Sequence, residues 1–170
     1  MKHARPSLII GSAGVALIAF SAIFRTNPIL VWNASASVPI GFYAVRPLDT
    51  LYVGDLVVLE PPSPLGDWLL ERGYLGADVP LIKHVAALPG QRVCRTGVTI
   101  SIDGTTVATT KVRDRFDRPL PLWQGCHLLT DDQVFFLNPD TEASLDGRYF
   151  GPLPRDTILG RAILIWTREG

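Results

Sequence analysis

Lys83 is the residue of this chain whose surroundings most favour acid-base chemistry. It lies in the apolar run LIKHVAAL, residues 81–88, as the run's one lysine. A buried ammonium group loses its proton more readily than an exposed one, so such a lysine can act as a general base. The alternative, a strand lysine whose amine reaches water, is the better interpretation of a lysine that has no partner. The assignment therefore depends on a nucleophile elsewhere in the chain.

Two serines near the N-terminus are candidates for that nucleophile. A serine hydroxyl is weakly nucleophilic and needs a neighbouring base to take its proton. None of the three histidines sits in a recognisable triad pattern, which leaves a lysine as the candidate base. Ser35 and Ser37 lie in the stretch NASASVPIGFY, residues 33–43. Its small residues fit two interpretations: a site at which this chain is cut, or a strand edge that presents a nucleophile.

An uncharged apolar run of 17 residues, residues 8–24, precedes that stretch. As a helix it is near the lower limit for crossing a hydrocarbon core of about 30 Å, and it exceeds a typical secretory h-region. Ala36 lies a dozen residues beyond the run, which is far for a signal-peptide cut. We therefore expect a cytoplasmic segment (1–7), an uncleaved transmembrane anchor (8–24) and an extracytoplasmic domain (25–170). A cleaved signal and a buried helix remain alternatives.

Composition argues against several functions. Sixteen basic and sixteen acidic residues cancel, so the chain has no electrostatic footprint for nucleic acid. The cysteines and histidines lack metal-ligand spacing, and we expect neither a metal nor a cofactor. If Cys94 and Cys126 pair, they suit an oxidising compartment, and closing their loop would contribute about 3 to 4 kcal/mol. Two buried free thiols are the alternative.

The remaining patterning predicts a mostly β, antiparallel domain. Fourteen prolines and fifteen glycines punctuate short Val/Ile/Leu-rich runs, as in proteins built from strands and turns. Asp103-Gly104 predicts a hairpin, and the Pro/Gly-rich residues 61–80 predict an insertion with one helical turn at residues 68–72. The predicted strands are residues 56–59, 81–88, 98–102, 105–108, 134–137 and 158–166.

An ordered series of motifs resembles the type I signal peptidases. The motifs are SVPIGFY (37–43), GDLVV (54–58), IKHV with LPG (82–90), SLDGRYFG (144–151) and LGRA (159–162). The serine stretch departs from the usual bacterial pattern and resembles the conjugative-transfer branch, the TraF-type peptidases that mature plasmid pilins. A second departure is LNPD (137–140), where housekeeping members carry Gly-Asp-Asn.

The resemblance implies a serine peptidase with a Ser/Lys dyad. Ser37 would be the nucleophile and Lys83 the general base. Ser35 would form the oxyanion hole together with the backbone amide of Ser37, and such a donor is typically worth about 3 to 4 kcal/mol at the transition state. Ser37 is then the residue that cuts, rather than part of a site that is cut.

Three residues of the fourth motif would support the dyad. The resemblance implies that Ser144 hydrogen-bonds the amine of Lys83 and that Asp146 and Arg148 form a pair that fixes the wall of the site. The alternative is an ordinary Asp-Gly turn at residue 146 followed by a solvated arginine.

The resemblance also implies a setting: a single-pass protein of the bacterial inner membrane with its catalytic domain on the periplasmic side. Its partners would be membrane lipid, a pilin precursor or other preprotein, and components of conjugation or type IV secretion. Release of the acyl-enzyme by water or by the substrate's own amino terminus, which would give a cyclic pilin, remains open. The competing functions are a general signal peptidase and a membrane-tethered scaffold without catalysis.

Overall fold

The computed structural model of the protein describes residues 28–168. The predicted cytoplasmic segment and the predicted anchor at residues 8–24 lie outside the described residues. Within residues 28–168, no helix is long and apolar enough to cross a membrane.

Strands dominate the described chain. They are β1 (Leu30–Asn33), β2 (Gly41–Arg46), β3 (Leu56–Leu59), β4 (Leu81–Ala87), β5 (Arg92–Thr96), β6 (Thr99–Ile102), β7 (Thr105–Thr109), β8 (Gly125–Leu128), β9 (Gln133–Leu137), β10 (Leu153–Pro154) and β11 (Ile158–Thr167). Every pairing between these strands is antiparallel. The predicted mostly β, antiparallel fold is therefore confirmed for this part of the chain.

The larger of two sheets has seven strands in the order β1-β2-β11-β3-β4-β9-β10. Its central strand β3 is apolar throughout, and its neighbouring residues contribute to two different core clusters: Val58 to one, Val57 and Leu59 to the other. All three side chains are at most 1% exposed. Because successive strand residues point to opposite faces, both faces of the sheet are buried here, as the continuous apolar run predicts.

The smaller sheet has four strands in the order β7-β6-β5-β8. The predicted hairpin joins β6 to β7, and Asp103 and Gly104 both have the positive φ that its tight turn requires (49° and 85°). Cys94 on β5 and Cys126 on β8 are directly paired in register and joined by a disulfide. A third apolar cluster, which includes Val93 of the smaller sheet and Phe135 of the larger, packs the two sheets together.

Two short helices complete the described fold. Helix α1 (Leu65–Glu71) lies in the predicted insertion, and it begins before the predicted helical turn. Helix α2 (Gly147–Phe150) begins after Asp146, whose side chain accepts a hydrogen bond from the amide of Arg148, as an N-cap residue does. Gly147 is required here, because a Cβ atom at this position would lie 2.5 Å from the Phe135 ring and 2.6 Å from the carbonyl oxygen of Phe136.

Candidate active site

The turn that carries Ser35 and Ser37 connects β1 to β2 and is organised by Asn33. The Nδ2 atom of Asn33 donates to the carbonyl oxygens of Ser35 (2.8 Å), Val38 (3.0 Å) and Pro39 (3.1 Å). Its Oδ1 atom accepts from the amide and the hydroxyl of Ser35, at 3.1 and 2.9 Å. Asn33 is only 8% exposed, so one buried side chain fixes the backbone from β1 to Pro39.

The hydroxyls of Ser35 and Ser37 are hydrogen-bonded to each other at 2.9 Å. Ser35 has one proton, which it donates to Asn33 Oδ1, and a carboxamide oxygen can only accept. Ser37 must therefore be the donor in the bond between the two serines. In this arrangement the proton of Ser37 points toward Ser35, and Ser37 is half-buried while Ser35 is exposed.

Lys83 is buried on β4, with 3% of its surface exposed. Its Nζ atom donates to the Oγ atom of Ser144 at 2.9 Å. Burial lowers the pKa of Lys83 from its ordinary value of 10.5 to about 8; the negative charge of Asp146 opposes this shift and the positive charge of Arg148 adds to it. A sizeable fraction of the amine is therefore neutral near physiological pH, as a general base requires.

Asp146 and Arg148 form a buried ion pair, with side chains 0% and 2% exposed. The guanidinium binds both carboxylate oxygens, through Nε at 2.9 Å and Nη2 at 2.9 Å. The same Nη2 atom donates to the carbonyl oxygens of Asn138 (3.0 Å) and Thr141 (2.6 Å). Because Nη2 binds two carbonyl oxygens of the loop between β9 and α2 as well as the carboxylate, the pair holds this loop against the site.

Asn138 belongs to this site, although the sequence reasoning assigned it no role. Strand β9 ends at Leu137, which is paired with His84 of β4. Beyond this pair, the side chain of Asn138 makes the hydrogen bonds to β4. Its Oδ1 atom accepts from the His84 amide (3.1 Å) and its Nδ2 atom donates to the Ile82 carbonyl (3.3 Å). Asn138 thus binds the backbone on both sides of Lys83. A polar residue directly after the apolar run VFFL is the only sequence signal for it.

The proposed dyad residues line one groove. Ser35, Ser37, Lys83 and Ser144 all contribute to a groove with a volume of about 1020 Å³. The hydrogen bond of Lys83 goes to Ser144 and that of the Ser37 hydroxyl to Ser35. The structure therefore brings the Lys83 amine and the Ser37 hydroxyl to a common groove, and each of them is hydrogen-bonded to another serine.

Not every candidate residue joins this site. Cys94 and Cys126 form their disulfide in the smaller sheet and line neither the groove nor the cavity beside it. Among residues 28–168 no group of three or more His, Cys, Asp or Glu side chains could hold a metal ion. The groove itself is lined by the hydroxyls of Ser35, Ser37 and Ser144 and by the amine of Lys83, together with the charged residues Lys111, Arg113, Asp114 and Arg115.

Comparison with known proteins assigns this chain to a family. The family model described as "Signal peptidase, peptidase S26" matches residues 4–167. The chain belongs to this signal peptidase family. A peptidase role for the chain is accordingly supported, and the resemblance read from the motifs is confirmed at the level of the family.

Several relatives of the chain carry conjugal transfer in their names, and another is named a signal peptidase. The chain is 34% identical over 175 residues to the conjugal transfer protein TraF of Agrobacterium tumefaciens, covering 98% of both chains. It is 38% identical over 141 residues to a probable conjugal transfer protein TraF of Sinorhizobium fredii, covering 76% of this chain and 73% of the relative. It is 32% identical over 112 residues to probable signal peptidase I-1 of Synechocystis, covering 65% of this chain and 52% of that protein.

Proposed function

We propose that this chain is a serine endopeptidase in which Ser37 is the nucleophile and Lys83 the general base. The observation that carries the proposal is the state of Lys83: a residue 3% exposed, with a pKa lowered to about 8, in the groove that also contains Ser37. Nucleophilic catalysis without histidine requires a base whose charged form is disfavoured, as burial does for Lys83, and a serine hydroxyl that can reach it.

In the proposed reaction the Ser37 hydroxyl turns from Ser35 toward Lys83. Neutral Lys83 takes the proton as Oγ attacks the scissile carbonyl carbon, which gives a tetrahedral intermediate and a lysine ammonium. The ammonium returns the proton to the departing amine nitrogen, the C–N bond breaks, and an acyl-enzyme remains on Ser37. Ser144, which accepts a hydrogen bond from Nζ at 2.9 Å, keeps the amine in position throughout.

The oxyanion of the intermediate would be stabilised by the Ser37 amide and the Ser35 hydroxyl. For this the Ser35 hydroxyl turns its proton away from Asn33 Oδ1, a rotation about one side-chain bond. The Ser35 amide also donates to Oδ1, at 3.1 Å, so the Asn33 oxygen stays satisfied while the hydroxyl serves the substrate. A donor of this kind typically contributes about 3 to 4 kcal/mol at the transition state.

The proposed substrate is a pilin precursor exported during conjugation. Two observations support it: the TraF relatives carry conjugal transfer in their names, and the serine stretch resembles the conjugative-transfer branch. In this proposal residues 8–24 anchor the protein in the inner membrane, with lipid around the anchor and the catalytic domain in the periplasm beside the conjugation machinery. The acyl-enzyme would be released by water or by the amino terminus of the pilin itself.

A second candidate function is that of a general signal peptidase. The relative from Synechocystis, named a probable signal peptidase I-1, favours it. A general enzyme should restore growth when the host's own signal peptidase is depleted, and a pilin-specific enzyme should not. Depletion with and without expression of this chain therefore distinguishes the two functions.

The proposal is tested by co-expressing the full chain with a pilin precursor and reading product masses by mass spectrometry. Wild type should cut the precursor, and Ser37→Ala and Lys83→Ala should lose cleavage by at least a thousandfold. Ser101→Ala, a change to a β6 serine that lines neither cavity, is the matched control and should cut like wild type. A product lighter than the linear chain by one water would show cyclisation.

The same experiment can contradict the proposal. Cleavage that persists in Lys83→Ala would exclude the Ser/Lys dyad. If wild type, Ser37→Ala and Lys83→Ala all leave the precursor intact yet all support conjugation, the chain is a scaffold rather than a peptidase.

A further inference from the structure

Ser37 lies at the junction of two cavities rather than at the end of one. It lines the large groove with Ser35 and Lys83, and it also lines a separate cavity of about 300 Å³. The small cavity is bounded by the turn after Ser37 and by the segment that follows β9, and it includes His84, Asn138 and Asp140. Its volume is at the lower end of the range for ligand pockets.

With Ser37 as the proposed nucleophile, the two cavities would meet at the scissile bond of a bound peptide. The carbonyl that Ser37 attacks must lie beside Ser35 and Lys83, so the part of the substrate that precedes the bond occupies the large groove. The part that follows the bond leaves Ser37 in the other direction, where the small cavity begins.

The small cavity contains a hydrogen-bond acceptor in a fixed orientation. The Nδ1 atom of His84 lies 3.1 Å from Asn138 Oδ1. That amide cannot be turned around, because Oδ1 accepts from the His84 amide and Nδ2 donates to the Ile82 carbonyl. Nδ1 must therefore carry a proton, and in the tautomer that has this proton alone Nε2 is an acceptor.

The small cavity also has an anionic rim. Asp140 is exposed and lines the cavity, and within residues 28–168 its carboxylate forms no ion pair. The nearby Asp146 is already neutralised by Arg148. The cavity therefore presents one unpaired carboxylate and one imidazole to whatever enters it.

We propose that the small cavity binds the residues that follow the scissile bond, and that Asp140 and His84 select a positive charge or hydrogen-bond donor there. This inference rests on the proposed peptidase function and adds a substrate preference to it. An unpaired carboxylate attracts a lysine or arginine side chain, repels an acidic one and leaves a small neutral residue nearly unaffected.

The test uses the full chain in detergent micelles with synthetic peptides that are identical before the cut. Their first two residues after it are Ala-Ala, Lys-Lys or Glu-Glu. At low ionic strength the wild type should favour Lys-Lys over Glu-Glu by about tenfold in kcat/KM, since each exposed charge interaction contributes up to about fivefold. The preference should shrink at high salt.

Variants of Asp140 make the test specific. Asp140→Asn should bring the two charged peptides within about twofold of each other, and Asp140→Lys should invert the preference. Asp49→Asn, a change to an exposed aspartate that lines neither cavity, is the matched control and should keep the wild-type ratio. An unchanged ratio in Asp140→Lys would overturn the role of Asp140.

A second variant examines His84 without changing charge at the rim. Peptides with one and with three residues after the cut are compared in wild type and in His84→Phe, whose ring lacks the acceptor. Wild type should cleave the longer peptide with the higher kcat/KM. The ratio of kcat/KM for the longer peptide to kcat/KM for the shorter one should be at least threefold smaller in His84→Phe. Equal advantage in both enzymes would overturn the role of His84.

The outcomes also separate this inference from the proposed function. A wild type that cuts all the peptides with no dependence on the residues after the bond leaves the peptidase intact and overturns the inference alone. A wild type that cuts none of them, and whose Ser37 takes no acylating label, overturns the proposed function and the inference with it.

Discussion

At the scale of single residues, the site depends on a lysine kept in an environment that disfavours its charge. The side chain of Lys83 is buried, and the nearest opposite charge, Asp146, is already bound through both oxygens by Arg148. A free carboxylate beside Lys83 would restore the ammonium and remove the base. The Asp146 and Arg148 pair therefore holds the loop while its two charges act on Lys83 in opposite directions.

The first prediction concerns the pH dependence of cleavage. In the proposed mechanism the active form of Lys83 is the neutral amine, so kcat/KM for a peptide without titrating groups should rise about tenfold per pH unit below pH 8. It should level off above that pH, because the pKa of Lys83 is about 8. Initial rates between pH 6 and pH 10 at subsaturating substrate measure this. A profile that is flat, or that falls from pH 7 to pH 9, would show that Lys83 is not the base.

Site residues differ in how well the sequence predicts them. Lys83 stands out because it interrupts an apolar strand, and the motif resemblance predicts Ser37, Ser35, Ser144, Asp146 and Arg148. Asn33 and Asn138 were given no role, although both are buried and make several hydrogen bonds. Asn33 opens the serine stretch and binds groups within six residues of it, whereas Asn138 binds backbone groups of β4 that only the folded chain brings near it, so residue type and spacing could not reveal its contacts.

At the scale of elements, the contact between β4 and β9 positions Lys83, the proposed base. The backbone ladder ends at the pair of His84 and Leu137, and from there the side chain of Asn138 replaces the missing strand partner. Lys83 lies between the two backbone groups that Asn138 binds. A shift of this short segment would move the amine relative to Ser37, and misplacement by about 1 Å can cost a hundredfold in rate.

The second prediction follows from that contact. Asn138→Ala should lower kcat by about 10- to 100-fold with a smaller change in KM, since it loosens the backbone of Lys83. Asn138→Asp keeps an acceptor for His84 but adds a negative charge near Lys83, so the pH midpoint of kcat/KM should also move upward. Steady-state kinetics over the pH range measure both effects.

The control for Asn138 is Gln133→Ala, at the opposite end of β9, where the half-buried side chain accepts from a turn amide. It should leave kcat and the pH midpoint unchanged. An Asn138→Asp profile with the wild-type midpoint would mean that this side chain has no electrostatic contact with the base.

The accuracy of the strand predictions depended on local patterning. Strands β3, β4, β9 and β11 are apolar runs bounded by turn residues, and the sequence predicts them to within about two residues. The patterning does not predict strands β1, β2, β5, β8 and β10. Strand β8 is exposed at all four residues and β10 has only two, so neither carries an apolar pattern. Their existence depends on pairing with distant strands, which local sequence does not encode.

At the scale of the whole molecule, one buried cation connects the smaller sheet to the site. Arg95 of β5 is 2% exposed. Its Nη1 atom donates to the carbonyl oxygen of Arg148 at 2.8 Å and its Nη2 atom to Thr110 Oγ1 at 3.0 Å. Arg148 in turn binds Asp146 and the loop after β9. The smaller sheet therefore supports the wall of the groove by hydrogen bonds as well as by the shared apolar cluster.

The third prediction tests this connection. Arg95→Met replaces a buried cation with an uncharged side chain of similar length. The Arg148 carbonyl and the Thr110 hydroxyl then lose the donor that Arg95 supplies. Losing hydrogen bonds from a charged donor costs about 1.5 to 3 kcal/mol each before any relaxation. We expect the free energy of unfolding to fall by about 2 to 4 kcal/mol, and kcat/KM to fall about tenfold under conditions where the protein stays folded.

Arg92→Met is the matched control, because Arg92 lies on the same strand but is exposed. Its backbone amide, rather than its side chain, makes the bond to Asp103. Denaturant unfolding and peptide cleavage of both variants, as full chains in detergent, measure the two effects together. If Arg95→Met is as stable and as active as Arg92→Met, the apolar cluster alone holds the smaller sheet against the site. If it loses stability but keeps activity, the groove wall is positioned without the smaller sheet.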